Sequence, residues 1–292
     1  MAEAHRQRRV QDHHDGSRLS EFPIGVFDSG VGGLSVLNAL REELPHERFV
    51  YFADTGHAPY GERGDAYVAE RSRAVALYLL DRHRIKALVV ACNTATAAAI
   101  HELRADHPAL PLVGVEPALK PAVATSRTGR IAVIATRVTL ESRKFEALHA
   151  SLAAQADFRI VPCDGLAGAI ERSDHREIAA LSQRYLNAAG TFGSAPGQID
   201  TLVLGCTHYP FIATELRRHA GDVVRFIDTG APVAQQTRRL LSQAGQLAET
   251  GGGAVVLVCS AAPDALDAAA ARWLTRPADR VTTAIASTAT IA

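Results

Sequence analysis

From Pro23 onward the chain alternates short runs of mostly β-branched apolar residues with longer stretches rich in alanine and leucine at helical spacing. The short runs predict strands at residues 24–27, 49–52, 87–90, 112–115, 130–134, 159–161, 201–204, 223–227 and 254–258. The stretches between them predict helices at 34–43, 65–83, 96–106, 141–155, 175–188 and 231–244. This alternation predicts βαβ units and a largely parallel sheet. Nine strands exceed what one doubly wound sheet usually holds, so the pattern predicts two α/β domains. Helical periodicity fades after Thr275, and residues 276–292 read as a tail.

The pattern also repeats. Residues 25–37 (GVFDSGVGGLSVL) and 87–100 (ALVVACNTATAAAI) are followed, in the same order and at a similar interval, by 130–142 (RIAVIATRVTLES) and 201–212 (TLVLGCTHYPFI). Each half reads strand, small-residue turn, helix, then strand, cysteine, threonine-bearing turn, helix. Two such halves facing each other bring two strand-end cysteines toward one cleft.

Composition narrows the function classes. Hydrophobic residues make up 47% and charged residues 21%, ordinary values for a globular protein. Lys plus Arg and Asp plus Glu number 31 each, so no net charge draws the chain to nucleic acid or an anionic membrane. No apolar run approaches the ~18 residues of a membrane span, and residues 1–22 lack the apolar stretch of a signal peptide. Four cysteines in a chain of 292 residues do not make a disulfide scaffold, which predicts a cytoplasmic protein. His13 and His14 read as solvated residues of an N-terminal extension.

Cys92 follows one strand and Cys206 another, where the carboxyl ends of parallel strands line a ligand crevice. A helix N-terminus just after each thiol predicts a pKa lowered from ~8.5 toward neutrality, fit for a base or nucleophile. The same N–H groups, with the hydroxyls of Thr94 and Thr207, suit a carboxylate. Cys163 and Cys259 lack this context and read as small buried hydrophobes. Asp28 either caps the helix that opens near Gly33 or serves a ligand. Residues 30–33 (GVGG) do not match the dinucleotide fingerprint. His208 beside Cys206 lacks the second ligand pair that zinc needs.

The segments FDSGVGGLSVL, DTGHAPYGER, VVACNTATA and LVLGCTHYP, in this order and at these intervals, resemble glutamate racemases from about residue 23 to 273. Aspartate racemases typically carry a glutamate where this chain has His208, which favours glutamate as substrate. The resemblance implies conversion of L-glutamate to D-glutamate for peptidoglycan, without pyridoxal phosphate, metal or nucleotide. It implies Cys92 and Cys206 as the catalytic pair on opposite faces of the α-carbon, with Asp28 and His208 as their polar neighbours. It places substrate binding on Asp28, Ser29, Tyr60, Gly61, Asn93, Thr94, Thr207 and His208, with auxiliary roles for Thr139 and Glu171. It further implies a homodimer, and it admits a cell-wall precursor as regulator. The fold implied is a pair of similar doubly wound α/β domains, pseudo-symmetric, with the site in the cleft between them. Their extents are 23–115 plus 229–275 for the first, discontinuous domain and 116–228 for the second. Ala135 and Phe145 depart from the glycine and tyrosine usual in that family.

Other readings are a sister enzyme of the two-cysteine superfamily (aspartate or hydantoin racemase, maleate isomerase), a thiol hydrolase, and a non-catalytic binding module. For the hydrolase, Cys206 and His208 stand two apart in a helical turn, a spacing that predicts diverging side chains.

Overall fold

The protein is described by a computed structural model over residues 19–283. His13, His14 and most of the N-terminal extension lie outside the described residues. The described residues build two sheets, both wholly parallel. The first contains β1 (Ile24–Asp28), β2 (Phe49–Ala53), β3 (Ala87–Val90), β4 (Leu112–Gly114), β9 (Val255–Cys259) and β10 (Arg280–Thr283), in the order β10-β9-β2-β1-β3-β4. The second contains β5 (Arg130–Ala135), β6 (Asp157–Pro162), β7 (Thr201–Leu204) and β8 (Arg225–Ile227), in the order β6-β5-β7-β8. Stripped of β9 and β10, the first sheet runs second-first-third-fourth, and so does the second. The repeat read in the sequence is thus a repeat of topology.

Helices cover both faces of each sheet, as β-α-β crossovers require. On one face of the first sheet, Val26, Tyr51, Val89 and Leu257 pack under α1 (Leu34–Glu43), α10 (Gly230–Gln243) and α11 (Pro263–Trp273). On the other, Phe27, Phe52 and Val90 pack under α2 (Asp65–His83) and α3 (Asn93–Asp106). The second sheet lies between α4 (Leu119–Thr125) with α6 (Arg143–Leu152) and α7 (Leu166–Glu171) with α8 (His175–Ala189) and α9 (Ala213–Ala220). A one-turn helix, α5 (Arg137–Leu140), follows β5. The central strands β1, β2, β3 and β7 are buried throughout, which explains their unbroken apolar runs. Among the described residues no helix is long and apolar enough to cross a membrane.

The expected C-terminal tail is corrected in part. Residues 280–283 form β10, paired in register with β9. Asp279 carries the register: its Oδ2 accepts from Val255 N, and its own N–H donates to Val255 O. Four residues flanked by Pro277 and Asp279 give too short an apolar signal to be read as a strand from sequence. The two family departures fit their surroundings. Ala135 is fully buried beside Gly205, where a Cβ would stand 2.8 Å from the Ala135 methyl. Phe145 is buried against Leu119, Leu152 and Val203, an apolar setting that a phenyl ring satisfies.

Candidate active site

In each sheet the strand order reverses beside its first strand, and the ligand crevice of such sheets lies at that point beyond the carboxyl ends. In the first sheet these ends present Asp28, on β1, and Cys92, just after β3. In the second they present Thr136, just after β5, and Cys206, two residues after β7. Topology alone therefore delivers both cysteines to equivalent places.

Cys92 caps α3, its Sγ accepting from Ala95 N at 3.5 Å. Ser29 Oγ lies 3.7 Å from that sulfur and 3.4 Å from Asp28 Oδ1. The Asp28 carboxylate, 1% exposed, accepts from Ser29 N at 2.7 Å and Gly33 N at 2.5 Å. Asp28 thus both tethers the start of α1 and stands behind Cys92. The expected lowering of the Cys92 pKa is overturned: burial, then the Asp28 charge, pushes the thiol up to about 12, past what the backbone N–H of Ala95 and the hydroxyl of Ser29 recover. Burial likewise raises Asp28, against the pull of His208 and the two N–H groups.

Around Cys206 the chemistry is opposite in sign. Cys206 Sγ stands 3.6 Å from His208 Nδ1, and His208 Nε2 stands 2.8 Å from Glu171 Oε1. The predicted divergence of Cys206 and His208 is therefore corrected. Cys206 leads into a 3-10 turn, Tyr209–Ile212, rather than an α-helix, and the tighter backbone brings the ring back to the sulfur. Burial alone would lower the His208 pKa, but hydrogen bonds with Cys206 and Glu171 and their charges raise it well above the ordinary imidazole value. Glu171 moves down for the complementary reason: burial opposes, and the hydrogen bond and charge of His208 prevail.

Glycines bring the two groups together. A Cβ on Gly32 would stand 2.5 Å from both His208 Nδ1 and Thr207 Oγ1, and one on Gly30 would collide with Glu171 Oε1. Ser35 Oγ, in the first turn of α1, donates to Thr207 O at 2.7 Å. The loop after β1 thus packs directly on the cysteine-histidine-glutamate group of the other half. The small residues in FDSGVGGLS serve this approach rather than a nucleotide.

The remaining sequence-predicted residues divide. Asn93 and Thr139, from opposite halves, line one narrow cleft together with Ser142 and Phe145. Asn93 is buried, and its Oδ1 has no hydrogen-bond partner. Thr139 Oγ1 lies 2.9 Å from Thr136 Oγ1. Thr94 and Thr207 are buried beside their cysteines. Tyr60 is buried, but its hydroxyl donates to Asp54 Oδ2 at 2.6 Å. A Cβ on Gly61 would meet nothing within 4 Å. Sequence reasoning missed Asp54 as a hub: it also takes Arg71 Nε and Nη2 at 3.1 Å each and faces His57 Nδ1 at 3.0 Å. The available signal was its place after β2, parallel to that of Asp28 on β1; Asp54 N donates to Asp28 O at 2.9 Å. Among the described residues no three His, Cys, Asp or Glu side chains form a metal-binding cluster.

The family model for Asp/Glu/Hydantoin racemase matches residues 24–237, which hold both cysteines and all the groups around them. The chain belongs to this family. Among curated members, it is 49% identical to a glutamate racemase of Ectopseudomonas mendocina over 231 residues, 77% of this chain and 84% of the relative. It is 45% identical to one of Stutzerimonas stutzeri over 243 residues, 82% of this chain and 89% of the relative. Among solved structures it superposes on glutamate racemase isoform RacE1 of Bacillus anthracis with a TM-score of 0.79 at 29% identity, covering 89% of this chain and 97% of that one. The Escherichia coli glutamate racemase, solved with L-glutamate and the activator UDP-MurNAc-ala, gives 0.75 at 29% identity, over 89% and 98%. These racemases share the two-sheet α/β architecture.

Proposed function

We propose that this racemase interconverts L- and D-glutamate by proton transfer between two thiols, Cys92 and Cys206, and so supplies D-glutamate for peptidoglycan. The observation that carries this reading is the pair of strand-end cysteines with opposite electrostatic partners, Asp28 on one side and His208 with Glu171 on the other. Racemisation needs a base on one face of the α-carbon and an acid on the other. Cys206, with its sulfur 3.6 Å from His208 Nδ1, takes the α-proton of L-glutamate. Cys92 holds its proton firmly and delivers it to the opposite face. In the reverse direction the roles exchange.

The electron pair left on the α-carbon is shared with the substrate carboxylate. The N-terminus of α3, with Asn93 and Thr94 in its first turn, supplies donors toward that developing charge. Thr207 and Thr139 from the second half, Ser29 from the first, and the backbone at Tyr60 and Gly61 complete the proposed substrate contacts. The unpaired Oδ1 of Asn93 is an acceptor suited to the substrate ammonium. By analogy with the Escherichia coli relative, a cell-wall precursor is a candidate activator; a homodimer and cytoplasmic residence are proposed from the same kinship.

The test is direct. Circular dichroism of L-glutamate incubated with the purified protein, with no added cofactor, should decay to zero, and so should that of D-glutamate. Decay with aspartate or a hydantoin but not with glutamate would assign a sister activity instead. A chelator should leave the rate unchanged.

A further inference from the structure

Asp54, just after β2, is fully buried. Burial alone would raise its pKa, but hydrogen bonds from Arg71, Tyr60 and Ser260, with the charge of Arg71, bring it below the ordinary carboxylate value. Arg71, on α2, donates from Nε to Oδ2 and from Nη2 to Oδ1 at 3.1 Å each, a two-pronged grip that fixes the plane of the carboxylate. Tyr60 Oη donates to Oδ2 at 2.6 Å. The Tyr60 ring stands edge-on to Phe27 and belongs to the apolar cluster that holds Cys92. The 3-10 turn that Tyr60 opens, Tyr60–Glu62, lies against α3, which begins at Asn93, and against α5, which carries Thr139. The turn therefore meets both halves beside the cleft. A Cβ on Gly61 would meet nothing within 4 Å, so no packing on that side fixes its backbone, which takes its place from Tyr60. Upstream, Gly56 N donates to Ser260 Oγ at 2.9 Å and Thr55 Oγ1 donates to Ala261 O, tying the start of the loop to the segment after β9.

We propose that Arg71 is a positioning residue for glutamate binding: acting through Asp54 and Tyr60, it sets the backbone of Tyr60 and Gly61 that meets a substrate carboxylate. The proposal rests on glutamate racemisation and on those two backbone contacts as read above. Without Arg71, Asp54 is a buried carboxylate faced by the hydroxyls of Tyr60 and Ser260 and by the ring of His57. Its plane is then free to turn, and the Tyr60 hydroxyl follows the oxygen to which it is bonded. The Tyr60–Glu62 turn moves with the ring, and a misplacement of about 1 Å is enough to spoil a ligand contact. The carboxylates of glutamate carry their charge on arrival, so a backbone N–H that meets one of them contributes before the α-proton moves. Loss of such a contact raises KM and leaves kcat nearly as it was.

The test separates positioning from stability. Arg71→Met keeps the apolar stem of the side chain and removes its N–H donors. In the circular dichroism assay its KM for L- and for D-glutamate should each rise about tenfold, with kcat within about threefold of the parent. A buried carboxylate stripped of its cation also weakens the fold, so Arg71→Met is compared with the double variant Arg71→Met/Asp54→Asn, in which a neutral amide replaces that charge. The double variant should regain much of the lost melting temperature while its KM stays about tenfold above the parent. A purely structural role gives the opposite pattern, a lower melting temperature and less active enzyme with the parent KM. A KM within about twofold of the parent in the double variant overturns the proposal, whether or not Arg71→Met folds by itself. An unchanged KM in a folded Arg71→Met, or a loss confined to kcat, overturns it as well. Failure of the racemase reading looks different: the parent itself then leaves the circular dichroism of L-glutamate unchanged, and both readings fall together.

Discussion

Cys92 and Cys206 occupy equivalent positions in two copies of one topology, yet their surroundings differ in kind. Cys92 caps a 14-residue α-helix and has a sealed carboxylate behind it. Cys206 precedes a four-residue 3-10 turn and has an imidazole and a half-open carboxylate behind it. The helix end is the weaker influence. Its dipole is worth roughly 1 kcal/mol, whereas burial and a like charge shift a titrating group by up to about 3–5 pKa units. Placement comes from the sheet, but protonation comes from the loop neighbours. A two-base enzyme can therefore begin from a duplicated fold and still acquire unequal bases.

The strongest way to break this comparison is to remove either thiol. Cys92→Ser and Cys206→Ser should each lower racemisation by about 10³-fold or more, because a hydroxyl replaces a far stronger acid. Each variant should still eliminate the leaving group from one enantiomer of a β-halogenated glutamate, Cys92→Ser from the L-form and Cys206→Ser from the D-form. Elimination from both forms by one variant and from neither by the other would point to a single base. Next in size is the approach of the two groups. Gly32→Ala should cost about 10²-fold in kcat/KM by displacing His208 and Thr207, whereas Gly61→Ala, with open space around it, should cost far less. Because the equilibrium constant of a racemisation is one, kcat/KM must fall equally in both directions, and any asymmetry must appear in kcat or in labelling.

A pH titration sharpens the comparison further. The raised pKa of His208 means that its charged pairing is fully present below the ordinary imidazole range and fades only as pH rises through its elevated value. Glu171 is lowered, so its share of stability is present above the ordinary carboxylate range and fades as pH falls through its depressed value. Denaturation measured across pH should thus show parent and Glu171→Gln converging at both extremes and differing most between. A constant difference at every pH would remove the ion pair from the account. The smallest effect is expected at Tyr60. Its hydroxyl serves Asp54, so Tyr60→Phe should cost about 1–2 kcal/mol of stability in denaturant melts, and an unchanged midpoint would show that bond to be idle.

The sequence carried the strands because the central runs are buried on both faces and the edge runs β6 and β8 keep β-branched or aromatic residues, and all nine runs reappear as strands. It carried six helices through the spacing of their buried positions, with 34–43 and 65–83 matching their observed bounds. Helices of four to eight residues, such as α4, α5, α7 and α9, present too few turns for a period to show. Positions of the cysteines were legible from strand ends, but the raised proton affinity of Cys92 was not. It depends on burial and on the charge of Asp28, a setting that arises through folding rather than through sequence spacing. Asp54 escaped for a similar reason, since its partner Arg71 lies 17 residues on, in a separate helix.

The chain has a single tryptophan, and its location gives the molecule a built-in gauge. Trp273 ends α11, a helix of the first sheet, and stacks on Phe211 with ring centroids 4.5 Å apart and planes 15° apart. Phe211 lies in the turn that carries the chain away from His208. Indole emission depends on the polarity and ring overlap around it, so a slide of one half against the other registers as a change in the colour and brightness of one fluorophore, with no label attached.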